Sequence, residues 1–73
     1  MNKNWTKVFS SDNPIEAEII KHMLENNSND NLKVITMNKQ DSSYKFGTID
    51  LYVENKNIQH AKKIIRLYHE QSK

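Results

Sequence analysis

The residues best suited to chemistry lie together in one polar segment, NKQDSSYKFG, which runs from Asn38 to Gly47. Two cations, two hydroxyls and free backbone N–H groups in such a loop can hold a phosphate or a carboxylate. A plain hairpin turn explains the same residues without any ligand, because Asp and Ser bond their own backbone. The segment therefore predicts either a binding loop for a small ligand, anion or nucleotide, or an ordinary connection. The candidate ligand or partner residues are Lys39, Gln40, Asp41, Ser42, Ser43, Tyr44 and Lys45.

The rest of the sequence offers no arrangement typical of catalysis. The chain has three histidines and no cysteine, and no two histidines have the helical spacing of metal ligands. His22 follows Glu18 by four residues on the polar side of a predicted helix, where a solvated pair is expected. Gly47 is the single glycine, which excludes a P-loop or a dinucleotide fingerprint; we expect it to relieve strain or a bulge at a strand entry. We predict a protein that is not an enzyme and has no metal or cofactor.

Size and composition define the broad class. A chain of 73 residues is expected to form one domain, residues 1–73 with a core of about 5–68, near the lower limit for a stable core. Its formal charge of +2 is too small for strong, sequence-independent attraction to nucleic acid. The first residues lack the apolar segment of a signal peptide, and no stretch approaches the ~20 apolar residues of a membrane span. We expect a cytoplasmic protein without membrane contact.

The first half of the chain predicts a strand followed by a helix. WTKVF (Trp5 to Phe9) is short, aromatic and β-branched, as strands are. Asn13 and Pro14 then open a helix, with Asn13 as the cap and Glu16 at the capping-box position. Glu16 lies within the apolar arc, so it is either the capping carboxylate, which we favour, or a functional one.

The second half predicts two strands and a second helix. LKVITM (Leu32 to Met37) and TIDLYV (Thr48 to Val53) are the strands, and ENKN supplies capping residues for the helix. The order β-α-β-β-α, with a right-handed crossover, predicts an α+β ferredoxin-like βαββα fold without its final strand. Its three-stranded sheet has the order 1-3-2 and both helices on one face. The predicted core residues are Ile15, Ile19, Ile20, Leu24, Val34, Ile49, Leu51, Val53, Ile58, Ala61 and Ile65.

Three aromatic residues are predicted on the sheet face opposite the helices: Trp5, Phe9 and Tyr52. Aromatics on such a face stack bases in RNA-binding sheets, but the aromatic spacing in KFGTIDLYV does not match that signature. The favoured alternatives are a contact between copies of the chain or a partly covered second core. The missing fourth strand also leaves the first strand as an unpaired edge, although Lys7 within it is typical of guarded edges. We predict a homodimer, with nucleic acid as the minor alternative.

The segments WTKVFS, NPIEAEIIKHMLENN and NKQDSSYKFG resemble a family of small bacterial domains described as prokaryotic signal-transducing proteins. The resemblance extends from about Trp5 to Ile65. It implies a fold like that of the PII nitrogen-regulatory proteins, a regulatory role with an unidentified protein partner, and an effector loop at Asn38 to Gly47. The glycine and basic pattern of PII nucleotide sites is absent, so the resemblance does not imply ATP binding.

Overall fold

The computed structural model describes residues 4–26, 32–40 and 47–71. The element order confirms the predicted β-α-β-β-α arrangement, with a short 3₁₀ turn added before the last helix. The elements are β1 (Trp5–Ser11), α1 (Pro14–Glu25), β2 (Val34–Gln40), β3 (Gly47–Glu54), the 3₁₀ turn (Asn55–Asn57) and α2 (Ile58–Gln71).

The three strands form one antiparallel sheet in the order β1-β3-β2, as predicted. The central strand β3 pairs with both neighbours, so β1 and β2 are the edges of the described sheet. Pairing between β1 and β3 shifts register between Lys7 and Phe9, because two residues of β1 advance where β3 advances by one. This is a β-bulge with Val8 as the extra residue.

Both helices pack on the same side of the sheet, against Leu51 and Val53 of β3. Alternation along β3 then directs Asp50 and Tyr52 to the opposite face, which no described helix covers. We call this opposite face the open face. The buried apolar cluster on the helix side consists of Ile20, Leu24, Leu32, Leu51, Val53, Ala61 and Ile65, with Val34, Ile49 and Ile58 partly buried against it.

The assignment of two residues to the core, Ile15 and Ile19, is wrong. Ile15 is 71% exposed and Ile19 is also exposed, whereas α1 buries Ala17, Ile20 and Leu24. At ~100° per residue, the apolar arc assumed for α1 is about 200° wide, and the two isoleucines lie on the side away from the buried stripe. A helix that packs on a single layer buries less of its circumference than that arc. The apolar arc predicted for α1 was therefore too wide on the side of Ile15 and Ile19.

The start of α1 shows how the local sequence fixes a helix terminus. Asn13 Oδ1 accepts hydrogen bonds from the backbone N–H groups of Ile15 (2.9 Å) and Glu16 (3.3 Å), which confirms Asn13 as the cap. The predicted bond from Glu16 to the Asn13 backbone is replaced by a relay through Ser11. Its hydroxyl donates to Glu16 Oε1 (3.0 Å) and its Oγ accepts from the Asn13 backbone N–H (3.0 Å). Glu16 therefore has a structural partner.

The segment before α2 forms hydrogen bonds with the residues at the start of β1. Asn55 donates its backbone N–H to the Asn4 carbonyl (2.8 Å), and Thr6 Oγ1 donates to Asn55 Oδ1 (2.5 Å). Within the ENKN segment, which was predicted to supply capping residues for the second helix, Asn55–Asn57 form the 3₁₀ turn, and Glu54 makes no side-chain cap bond to that turn. These contacts fix the start of β1 against the end of β3.

Candidate functional site

The predicted aromatic face is only partly present. Trp5 and Lys7 pair with Glu54 and Tyr52, and this register places Trp5 and Tyr52 on the open face. The placement of Phe9 on that face is wrong. The bulge at Val8 reverses the alternation, so Phe9 pairs with Leu51 and packs against the helix-side cluster.

Two apolar residues of β2 extend the open face. Ile35 pairs with Tyr52 and Met37 pairs with Asp50, so both belong to this face, where they are 37% and 40% exposed. Tyr52 itself is buried between the edge strands. Ile35 and Met37 were not predicted on this face. They are two residues apart in the strand and alternate with Val34, a pattern that indicates a shared face opposite Val34. We call Trp5, Ile35, Met37 and Tyr52 the open-face patch.

A buried carboxylate lies beside the open-face patch. Asp50 is 1% exposed, and its Oδ1 accepts a 2.6 Å hydrogen bond from Ser10 Oγ of the neighbouring strand. Alternation in β3 predicted a polar residue on this face, and its burial was not expected. A carboxyl group removed from water needs hydrogen-bonding partners, and the contact with Ser10 supplies one to Oδ1 while it fixes the register of β1 on β3.

A second surface lies where α2 crosses the edge strand β1. A cavity of about 400 Å³ opens there, with Val8 and Ile65 as its apolar lining and Lys62, Arg66, His69 and Glu70 around it. The ring of His69 lies 6.1 Å from that of Phe9, and 5.5 Å from that of Tyr68 in an edge-on contact. A neighbouring cavity of about 370 Å³ shares two of these cations and is lined by Gln59, Lys62, Lys63 and Arg66. We call the first cavity the edge groove.

The polar segment Asn38 to Gly47 proves shorter as a connection than the sequence suggested. β2 extends through Lys39 and Gln40, which pair with Thr48 and Gly47, so residues 38–40 and 47 belong to the sheet. Gly47 has no positive φ and lies in regular register, so the predicted strain or bulge at this glycine is wrong. The remaining candidates of this segment lie outside the described residues: Asp41, Ser42, Ser43, Tyr44 and Lys45. Their proposed ligand stays a prediction.

The described part of the chain contains no cluster of three or more His, Asp or Glu side chains that could hold a metal ion. His22, expected to pair with Glu18, instead has its Nδ1 3.3 Å from the Asn26 side-chain amide at the end of α1. Neither described helix combines the length and apolar character needed to cross a membrane.

The chain matches no protein-family model, no curated protein and no solved structure. Functional inference therefore depends on the two surfaces described above, the open-face patch and the edge groove.

Proposed function

We propose that this chain is a non-enzymatic regulatory or protein-interaction module that self-associates through the open face of its sheet. The observation that carries the proposal is the exposure of Ile35 and Met37, two residues apart on β2 and next to Tyr52 of β3, on a face without a described helix. Adjacent apolar side chains on one face of a small protein are typical of a contact surface. The same face on a second copy would cover them.

Size and symmetry support a homodimer. A small domain gains much from additional burial, and this chain has no disulfide to compensate for a small core. A two-fold contact uses the same patch on both copies, so the open-face patch of one copy would cover that of the other. A stable contact of this kind buries about 1,200–2,000 Å² in total.

The ferredoxin-like label and the regulatory role belong to the same proposal. The strand order β1-β3-β2 with both helices on one face is compatible with that fold lacking its final strand. The resemblance to prokaryotic signal-transducing proteins supports a regulatory role, with a protein partner rather than a substrate. A fold alone does not define a function, so the test addresses the surface.

Sedimentation velocity over a concentration series tests the proposal. We expect the wild type to shift from monomer to dimer, and Ile35→Lys and Met37→Lys each to shift this transition to higher concentration. Leu67→Lys is the matched control, because Leu67 is similarly exposed (43%) but lies on α2. A wild type that remains monomeric at high micromolar concentration, or a dimer weakened only by Leu67→Lys, contradicts the proposal.

A further inference from the structure

The outer edge of β1 is a place where another strand can pair. In the part of the chain that the structure describes, β1 pairs with β3 alone and runs for seven residues, Trp5–Ser11. Its outward backbone groups therefore meet no described strand. Extended peptides bind such edges by continuing the sheet, with main-chain hydrogen bonds for affinity and side-chain pockets for specificity.

The edge groove supplies a side-chain pocket at this edge. Val8, the extra residue of the β-bulge, lines the groove together with Ile65 of α2. The proximity of the Phe9 and His69 rings shows that the C-terminal half of α2 lies near β1. An apolar side chain of an added strand would thus find apolar contacts with Val8 and Ile65 in this open groove.

The charges around this edge are mainly positive. Lys62 and Arg66 border the groove on the helix side, and the second cavity adds Lys63 to the same stretch of α2. Lys7 is exposed on the other face of the same strand. Among the described groove residues, Glu70 is the acidic one. An added strand would therefore meet cations on both of its faces.

We propose that the β1 edge and the edge groove bind an extended acidic segment of a partner protein, which adds to the sheet as a fourth strand. Its backbone pairs with β1, an apolar side chain enters the groove against Val8 and Ile65, and its carboxylates face Lys62 and Arg66 on one side and Lys7 on the other. This site is separate from the Ile35–Met37 side of the open-face patch, and the inference does not depend on the proposed self-association.

Charge selects this occupant over a second copy of the chain. Antiparallel pairing of two β1 strands would bring Lys7 and the Lys62–Arg66 stretch of each copy close to their counterparts. Like charges in such positions are destabilising, whereas carboxylates on the incoming strand are attracted. A nucleic acid would also meet the cations, but it lacks the amide groups that continue a β-ladder.

The direct test is an NMR titration of the ¹⁵N-labelled protein with the peptide Glu-Glu-Val-Glu-Val-Glu-Glu, which matches the length of β1. Its valines share one face with the terminal glutamates, and its remaining glutamates lie on the other face. We expect saturable shifts at the amides of Lys7, Val8 and Phe9 and along α2 from Lys62 to His69. The same peptide with Lys for Glu, or with alternate backbone nitrogens methylated, should bind at least about tenfold more weakly.

Matched variants locate the site. Arg66→Glu should weaken peptide binding about tenfold, and Lys33→Glu, an equal change in charge before β2, should change it less than about twofold. Circular dichroism verifies that both variants fold, and Ile35→Lys, which targets the proposed dimer contact, should bind the peptide like the wild type. The proposal is overturned if β1 amides do not shift, if backbone methylation has no effect, or if a single-stranded oligonucleotide produces the same shifts at equal affinity.

Discussion

Ser10 Oγ donates a 2.6 Å hydrogen bond to Asp50 Oδ1, and this contact joins the edge strand β1 to the central strand β3 through an almost fully buried carboxylate. Ser10 pairs with Asp50 directly across the ladder, beyond the bulge that separates Lys7 from Phe9. A one-residue slip of β1 would remove the hydroxyl from the carboxylate, so the contact specifies register as well as stability.

Removal of this hydroxyl should destabilise the protein. Ser10→Ala leaves Asp50 Oδ1 without this donor, and we expect the free energy of unfolding to fall by about 1–3 kcal/mol. Urea denaturation followed by circular dichroism measures the change. Ser10→Thr retains the hydroxyl and should remain close to the wild type. Equal stability of the Ala and Thr variants would show that the hydrogen bond contributes little.

A charge placed at the centre of the core should unfold the domain. Leu51 is fully buried on the helix side of β3, so Leu51→Asp buries an unpaired carboxylate, at a cost expected to exceed about 4 kcal/mol. Thr36→Asp is the control, because Thr36 is the cross-strand neighbour of Leu51 and is exposed. Thermal melting followed by circular dichroism should show a cooperative transition for the control alone. A cooperative, near-native melt of Leu51→Asp would contradict the core assignment.

The helix cap has a predictable contribution of its own. Asn13→Ala removes the acceptor for two N–H groups of α1 and should lower the free energy of unfolding by about 0.5–2 kcal/mol. Gln59→Ala, in the exposed part of α2, should change it by less than about 0.5 kcal/mol. Chemical denaturation of the two variants provides the comparison. Equal effects would mean that the Asn13 cap is dispensable.

The elements were predictable because their signals are local. The Asn13–Pro14 cap and the alternation of Ile49, Leu51 and Val53 depend on neighbours in sequence, and both appear in the structure as expected. The strand order also followed from the crossover rule. These features need no knowledge of distant contacts.

The features that the sequence did not predict depend on contacts between residues far apart in the chain. The bulge at Val8 depends on how β1 fits β3, so strict alternation placed Phe9 on the wrong face. The hydrogen-bond partner of the buried Asp50 is likewise a serine 40 residues away in sequence. The edge groove requires α2 to lie across β1, and no local pattern reveals that contact. Tertiary pairing, rather than propensity, decides each of these features.

The bulge makes the two aromatics of β1 experimentally distinct. Phe9→Ala should lower the free energy of unfolding by about 1–3 kcal/mol, because Phe9 packs against the helix-side cluster. Trp5→Ala should have the smaller effect on unfolding at dilute concentration and the larger effect on self-association. Denaturation and sedimentation of both variants separate the two roles. The reverse pattern would place Phe9, rather than Trp5, at the contact between copies.

The contact between copies is tested most directly by an isotope-filtered NOE experiment. Half of the protein carries ¹³C at its isoleucine and methionine methyl groups, which include those of Ile35 and Met37, and the other half is unlabelled. We predict intermolecular NOEs from these methyl groups to the aromatic protons of Trp5 and Tyr52. An absence of intermolecular NOEs at a concentration where sedimentation shows a dimer, or NOEs confined to α1 or α2, would contradict self-association through the open face.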